Sequence, residues 1–394
     1  MSMEQQINRL IQTEIDSGDL AGSALSVIKD GHEVFRHSYG ALDIDSGAPM
    51  PDNPIFRMYS MSKPVTSAAA MMLIERGVIT RSAPVSDYLP AFADQTVWQD
   101  GRETSVQRPM TIDDLLNMTS GLSYPDASTE TGRRMEALFN EAIARAHSAN
   151  AWTTLELCER IGRIPLLFQP GARWQYGTSA DVLGAVIEVA SGRRFGTFLK
   201  EELFEPLGMC DTGFYAPEQK RERFATMYKW SAQPPKLSRY TGSHLVILDF
   251  AQPPAFESGG AGLVSTLDDY GRFAQMLING GELNGRRLLK PETVEFMHSA
   301  RLTPEQQRTF EWAQLRGFTY GNLMRVLTRP EAVDPVLCGL GVKGEYGWDG
   351  WAGTYFMADP TNRLIIIYLI SRIDLDPHPM RAQLKRVIYD NLVK

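Results

Sequence analysis

A serine and a lysine three residues apart, Ser60 and Lys63, are the side chains of this sequence best suited to nucleophilic chemistry. A serine hydroxyl is a weak nucleophile until a neighbouring base removes its proton. Lysine has an ordinary pKa of about 10.4, so it can serve as that base near neutral pH only after a drop of roughly 3 units. Burial and a nearby helix N-terminus can lower a lysine pKa by that order.

The residues that follow Ser60 have the pattern of a buried helix. Apolar residues recur at positions 65, 68, 69, 72 and 73, and Gly77 then suits a helix end. Pro64 is tolerated only in a first turn, so the helix should begin close to Ser60. Residues three apart are neighbours on a helix, so the Lys63 amine can reach the Ser60 hydroxyl. The helix N-terminus would also favour a developing alkoxide.

The same spacing occurs a second time, at Ser26 and Lys29, so spacing alone is weak support for chemistry. This second pair lies in an apolar run that ends at a turn-forming stretch, KDGH, and it is typical of a β-strand. Positions three apart on a strand face opposite sides of a sheet. We therefore interpret Ser26 and Lys29 as structural.

Composition and charge narrow the function classes. The chain has 394 residues, of which 43% are hydrophobic and 22% charged, which is typical of a globular protein with two or three domains. The formal net charge is −7 and no block of lysines and arginines stands out, which argues against a nucleic-acid partner.

The sequence also predicts no membrane insertion. The N-terminus is polar and lacks the apolar core of a signal peptide, and the longest strongly apolar run, Leu364–Ile370, is far too short to cross a bilayer. The three cysteines are widely spaced and form no disulfide framework, which favours a reducing compartment. We therefore predict a cytoplasmic protein.

The order of predicted elements suggests one α+β domain built from both ends of the chain. A helix over 5–15 and a hairpin over 22–29 and 33–39 open the chain, while strands over 354–358 and 363–370 and a helix over 380–392 close it. We predict that residues 1–80 and 255–394 form this domain.

The middle of the chain, residues 81–254, should be an inserted and mostly helical domain. Apolar spacing predicts a helix over 180–190, and another over 266–279 with Thr266 and Asp269 as a capping pair. Residues 215–258 have few periodic signals and several prolines, which is typical of a lid or binding loop. The active site should lie between the two domains.

Four further segments accompany Ser60-x-x-Lys63: LLNMTSGL at 115–122, FQPGARWQYGT at 168–178, SGGAGLVST at 258–266 and GWDGWAGT at 347–354. In order and spacing, from about residue 7 to residue 392, the chain resembles the serine β-lactamase and penicillin-binding-protein superfamily. Within it, the sequence is most similar to the class C β-lactamase-like esterases called family VIII carboxylesterases. The resemblance implies an antiparallel sheet flanked by helices, with an inserted helical domain.

The resemblance also implies roles for individual residues. Ser60 matches the acylated nucleophile, Lys63 its base, and Tyr176 the tyrosine that relays protons. The backbone N–H groups of Ser60 and Trp351 match the oxyanion hole, where two aimed donors are worth about 3–4 kcal/mol each.

The substrate-binding positions depart from the β-lactamase pattern. Trp348, Asp349 and Gly350 stand where β-lactamases have Lys-Thr-Gly, so the cation that would hold a substrate carboxylate is missing. Thr178 stands where an asparagine suited to a substrate amide would be. Both changes favour neutral esters over peptides and β-lactams, and the bulk of Trp351 predicts a tight acyl pocket.

The sequence therefore predicts a serine carboxylesterase that hydrolyses small neutral esters through an acyl-Ser60 intermediate, with no cofactor and no metal. A small-molecule ester is the expected partner. The sequence does not decide between a monomer and a homo-oligomer. The alternatives are a D-peptidase or amidase, a weak β-lactamase, or an acyltransferase with the same machinery, and a non-catalytic descendant. No Gly-x-Ser-x-Gly motif occurs, which argues against an α/β-hydrolase.

Overall fold

The computed structural model describes residues 1–374 and 379–393. Its α-helices are α1 (Met3–Asp16), α2 (Ser62–Glu75), α3 (Ile112–Leu116), α4 (Glu130–Arg145), α5 (Thr154–Ile161), α6 (Ser179–Ser191), α7 (Phe195–Leu199), α8 (Glu205–Leu207), α9 (Leu267–Ile278), α10 (Pro291–Met297), α11 (Pro304–Gln307) and α12 (Pro379–Leu392).

Its β-strands are β1 (Gly22–Lys29), β2 (His32–Asp43), β3 (Ala48–Pro49), β4 (Phe56–Arg57), β5 (Thr96–Gln99), β6 (Arg102–Ser105), β7 (Tyr228–Trp230), β8 (Leu237–Arg239), β9 (Val264–Ser265), β10 (Glu282–Leu283), β11 (Arg286–Arg287), β12 (Phe318–Gly321), β13 (Met324–Leu327), β14 (Tyr346–Asp349), β15 (Tyr355–Asp359), β16 (Leu364–Ile370) and β17 (Arg372–Ile373).

The largest sheet has eight strands in the order β12-β13-β14-β15-β16-β1-β2-β3, and its pairs are antiparallel. Val27 of β1 pairs with Ile366 of β16, so two strands far apart in sequence are neighbours in the interior of the sheet. Every residue of β16 is buried, which explains why its sequence is apolar without alternation. The predicted antiparallel sheet with flanking helices is confirmed.

Helices cover both faces of the sheet, and the side chains of β16 alternate between them, as the period of a strand requires. Helices α1 and α12 pack on one face, where Ile7, Ile11, Leu384 and Ile388 join Ile366 in one apolar cluster. Helices α2 and α9 lie on the other face, where Val65 and Phe273 belong to the same cluster as Ile365 and Ile367.

Two helices predicted after residue 81 are present in the structure. Helix α6 matches the prediction over 180–190, and the Thr266 hydroxyl caps α9 by accepting from the Asp269 N–H at 3.2 Å. Residues 215–258 contain a 3-10 turn and the short strands β7 and β8 but no α-helix. That residues 81–254 form a domain separate from the terminal segments stays a prediction.

Among residues 1–374 and 379–393, no helix is both long enough and apolar enough to cross a membrane.

Candidate active site

Ser60 lies in a 3-10 turn, Tyr59–Met61, that leads directly into α2, which is where the position of Pro64 predicted it. The residue before it, Tyr59, has φ of +43°, a backbone conformation that residues with a side chain rarely adopt. Its ring is nearly fully buried, so the surrounding packing holds the backbone in that state. The turn presents the Ser60 hydroxyl to a cavity.

Lys63 is completely buried and its amine is surrounded by oxygen atoms. Its Nζ lies 3.1 Å from Ser60 Oγ, 3.1 Å from the Tyr124 hydroxyl and 2.8 Å from the Gly260 carbonyl oxygen. Burial lowers the pKa of Lys63 to about 7, while the negative charge of Asp181 opposes this shift. Much of the amine is therefore unprotonated at neutral pH, as a base for Ser60 must be.

Tyr176 stands just before α6, and its ring lies 4.5 Å from the Lys63 amine. Its hydroxyl accepts a hydrogen bond from Trp348 Nε1 at 3.0 Å. Burial raises the pKa of Tyr176, although hydrogen bonds with Ser60 and Trp348 oppose this. The phenol is therefore protonated at neutral pH and sits where it could pass a proton to or from Ser60.

Strand β14 brings Trp348 and Asp349 to the same cavity, where the two side chains have different surroundings. Trp348 is nearly fully buried, whereas the Asp349 carboxylate is held by Arg325 at 2.5 Å and by Arg381 at 3.0 Å. Gly350 lies so close to Met58 that an added Cβ would sit 2.4 Å from its carbonyl oxygen. Trp348 therefore forms an apolar part of the cavity wall, and the Asp349 carboxylate is paired with two arginines.

Trp351 packs against the 215–258 segment. Its ring stacks on His244 at 3.7 Å with 7° between the planes, and burial lowers the pKa of His244 to about 4, so the imidazole is neutral. Within the residues that the structure describes, no acceptor pairs with the Trp351 backbone N–H. That N–H is therefore available to a substrate oxygen.

Thr178 is fully buried at the start of α6 and does not line the cavity. Its hydroxyl has no hydrogen-bond partner among the described residues. The structure therefore places this predicted substrate-binding residue behind the cavity wall, and its role stays a prediction.

The cavity in front of Ser60 has a volume of about 1050 Å³. Helix α4, the 215–258 segment, the turn at 312–315 and the end of the sheet all contribute to its wall, with Tyr124, Phe139, Tyr176, His244, Leu245, Trp312, Trp348, Trp351, Arg372 and Arg381 among the lining residues. This volume is far larger than a compact acyl group requires. Trp351 stacks on His244 in the wall of this cavity, and a tight acyl pocket stays a prediction.

Tyr124 is a site residue that sequence reasoning missed. It follows the 115–122 segment, and its hydroxyl is as close to the Lys63 amine as that of Ser60. Burial raises the pKa of Tyr124 well above its usual range, so it contacts the amine as a neutral phenol. No spacing rule connects residues 63 and 124, so only the resemblance of the preceding segment could have pointed to it.

Removing this hydroxyl should slow the enzyme. We expect Tyr124→Phe to lower kcat by about tenfold, because one hydrogen bond to the Lys63 amine is lost. Tyr320→Phe is the matched control, since the Tyr320 hydroxyl is buried in the neighbouring aromatic cluster and has no partner among the described residues. Equal rates for the two variants in a steady-state assay would contradict a role for Tyr124.

No group of three or more metal-binding side chains occurs within residues 1–374 and 379–393.

Comparison with known proteins identifies the family of this chain. Residues 7–389 match the model of the Beta-lactamase family. The chain is 30% identical to the esterase EstB of Burkholderia gladioli over 90% of this chain and 86% of that protein.

Two solved structures show the same fold. EstCE1, described as a hydrolase with promiscuous acyltransferase activity, superposes with a TM-score of 0.81 at 24% identity over 98% of both chains. A family VIII carboxylesterase superposes with a TM-score of 0.72 at 19% identity over 100% of this chain and 98% of that one. Since the family match extends over nearly the whole sequence, this chain belongs to the Beta-lactamase family.

Proposed function

We propose that this serine hydrolase is a carboxylesterase that cleaves neutral carboxylic esters through an acyl-Ser60 intermediate. The observation that carries the proposal is the Lys63 amine, which is buried, has a pKa of about 7, and lies 3.1 Å from Ser60 Oγ. A lysine in this state can take the serine proton at neutral pH.

The reaction follows from the positions of these groups. Ser60 Oγ attacks the ester carbonyl while its proton passes to Lys63, and the backbone N–H groups of Ser60 and Trp351 stabilise the oxyanion. Tyr176 and Lys63 then deliver a proton to the departing alkoxide, which leaves as the alcohol. A water molecule attacks the acyl-enzyme, its proton returns through the same groups, and the acid leaves with Ser60 restored.

The charges around the cavity support a neutral substrate. Trp348 occupies the position where a lysine would hold a carboxylate, and it is an apolar wall. The two arginines that line the cavity are already engaged: Arg381 binds Asp349, and Arg372 binds Glu14 and the Asp19 carbonyl oxygen. A substrate carboxylate would have to compete with these partners.

Acyl transfer is a second candidate, because the cavity has room for an acceptor alcohol beside an acyl group. The two reactions share the acyl-enzyme and differ only in whether water or an alcohol attacks it. Adding an alcohol to an ester assay and measuring the transfer product against the free acid separates them.

A matched pair of substrates tests the preference for neutral esters. We expect an aryl butyrate to exceed the corresponding aryl hemisuccinate, which replaces the terminal methyl group with a carboxylate, by about 30-fold or more in kcat/KM. Ion-pair recognition is typically worth about 2–5 kcal/mol in partly buried sites. Among the described residues that line the cavity, the hemisuccinate finds no arginine or lysine that is not already paired.

The same panel should include a chromogenic cephalosporin and a D-amino-acid amide. Both should be turned over at least about a hundredfold more slowly than the butyrate, since an activated ester is also easier to cleave. Comparable rates on the cephalosporin or the amide would overturn the esterase proposal in favour of a β-lactamase or peptidase.

A further inference from the structure

Asp181 is a buried carboxylate next to the candidate site, and the reaction steps above do not use it. We infer that Asp181 is a positioning residue that holds and polarises the catalytic amine through Ser258 and the peptide bond between Gly260 and Ala261. This inference rests on the proposed role of Lys63 as the base.

A continuous chain of hydrogen bonds joins the two charged groups. The Lys63 amine donates to the Gly260 carbonyl oxygen at 2.8 Å, and the N–H of the same peptide group, on Ala261, donates to Ser258 Oγ at 3.0 Å. The Ser258 hydroxyl in turn donates to Asp181 Oδ1 at 2.5 Å. Hydrogen bonds in such a chain polarise one another, so the carboxylate makes the Gly260 carbonyl a stronger acceptor for an ammonium ion.

The chain is built tightly and excludes solvent. Asp181 is 3% exposed and Ser258 is 2% exposed. Asp181 Oδ1 also accepts from the Gly260 N–H at 3.0 Å, and a Cβ at Gly260 would lie 2.8 Å from Asp181 Oδ2 and 3.0 Å from the Tyr124 hydroxyl. A side chain at residue 260 would therefore press on Asp181 and Tyr124 and disturb this arrangement.

The position of Asp181 on α6 also favours its charged form. It lies in the first turn of the helix, where the positive end of the helix dipole stabilises an anion. Burial raises the pKa of Asp181, while the Ser258 hydrogen bond and the charge of Lys63 oppose this. The carboxylate and the amine therefore stabilise each other's charges across the peptide group.

The other titratable groups around this pair are neutral at working pH. Tyr124 and Tyr176 face Lys63 with raised pKa values, and His244 has a lowered one. Burial also raises the pKa of the Cys158 thiol, which donates to the Asp181 backbone carbonyl at 3.5 Å. Among the described residues, Asp181 is thus the anion that balances Lys63 when the amine takes the Ser60 proton.

The test is the pH dependence of kcat/KM in Asp181→Asn. The asparagine carbonyl can still accept from Ser258 and Gly260, but its charge is gone, so the ammonium form of Lys63 is less stable. We expect the acid limb, below which Lys63 is protonated, to move about one pH unit lower. The plateau value of kcat should fall about tenfold with KM unchanged, because a weaker base accepts the proton less readily.

Ser258→Ala breaks the chain of hydrogen bonds but keeps the Asp181 carboxylate. The acid limb should therefore also move to lower pH, but by less than in Asp181→Asn. Both residues act through one chain, and the double variant should therefore resemble Asp181→Asn alone. Asp269→Asn is the matched control: this carboxylate is equally buried but lies on α9, bonded to Thr212 and the Asp211 N–H, and its variant should leave the limb where it is.

Thermal unfolding of each variant separates folding from positioning. Folded Asp181→Asn and Ser258→Ala enzymes with the wild-type acid limb would overturn the inference and return Asp181 to a structural role. If Asp181→Asn does not fold, the test rests on Ser258→Ala: a folded Ser258→Ala enzyme with the wild-type acid limb would overturn the inference. The proposed function has its own test: if Lys63→Met still hydrolyses esters at the wild-type rate, Lys63 is not the base.

Discussion

Replacing Ser60 with alanine is expected to abolish ester turnover and, with it, labelling by a serine-directed phosphonate. Among the described residues, Ser60 Oγ is the serine hydroxyl that lies both against the Lys63 amine and in the cavity. Without the oxygen no acyl-enzyme can form, and losses of about 10⁴-fold or more in kcat are usual when such a nucleophile is removed. Mass spectrometry of the labelled protein should find a single adduct, on the peptide that contains Ser60.

Ser67→Ala is the matched control for this variant. Ser67 lies on the same helix, is fully buried, and its hydroxyl has no partner among the described residues. Its loss should change neither labelling nor rate. An adduct that persists in Ser60→Ala would place the nucleophile elsewhere.

The second large effect should come from the proton-transfer pair. We expect Lys63→Met and Tyr176→Phe each to lower kcat by about 10²–10⁴-fold, which is the usual contribution of general acid–base catalysis. The double variant should lose much less than the product of the two effects, because residues that act as a unit are not additive. In the wild type, kcat/KM should fall below about pH 7, where Lys63 becomes protonated.

Two measurements check this pair independently. Steady-state kinetics of the single and double variants give the coupling, and fully multiplicative losses would show that the residues do not act together. The rate of inactivation by the phosphonate, measured as a function of pH, reports the protonation state of the base. This reaction does not require a proton to be delivered to a departing substrate alcohol. An acid limb near pH 9 or above in that experiment would contradict a lysine held near neutrality.

Much of this fold could be predicted from periodicity, because its elements obey local rules. The apolar stripe after Ser60 identified α2, and the uninterrupted apolar run at 364–370 identified a strand that is buried on both faces. Strands at both ends of the chain pointed to one shared sheet. The resemblance supplied Tyr176 and Trp351, which no spacing rule could connect to Ser60.

The remaining features depend on contacts between segments that are distant in sequence. Tyr124 and Asp181 reach Lys63 only because three separate segments converge behind Ser60. Asp349 is held by Arg325 and Arg381, and no local pattern connects these three residues. The stack of Trp351 on His244 is likewise a contact between distant segments. Side-chain orientation of this kind is set by tertiary packing.

The pairing of residue 27 with residue 366 at the centre of the sheet has a consequence for biosynthesis. A ribosome releases β1 long before β16, so the sheet lacks this pairing until residues 364–370 have been made. Closing so long a loop is costly in entropy, and such non-local pairings fold slowly. Helix α2 packs on this sheet, so a nascent chain should hold Ser60 and Lys63 without a catalytic pocket until β16 has been released.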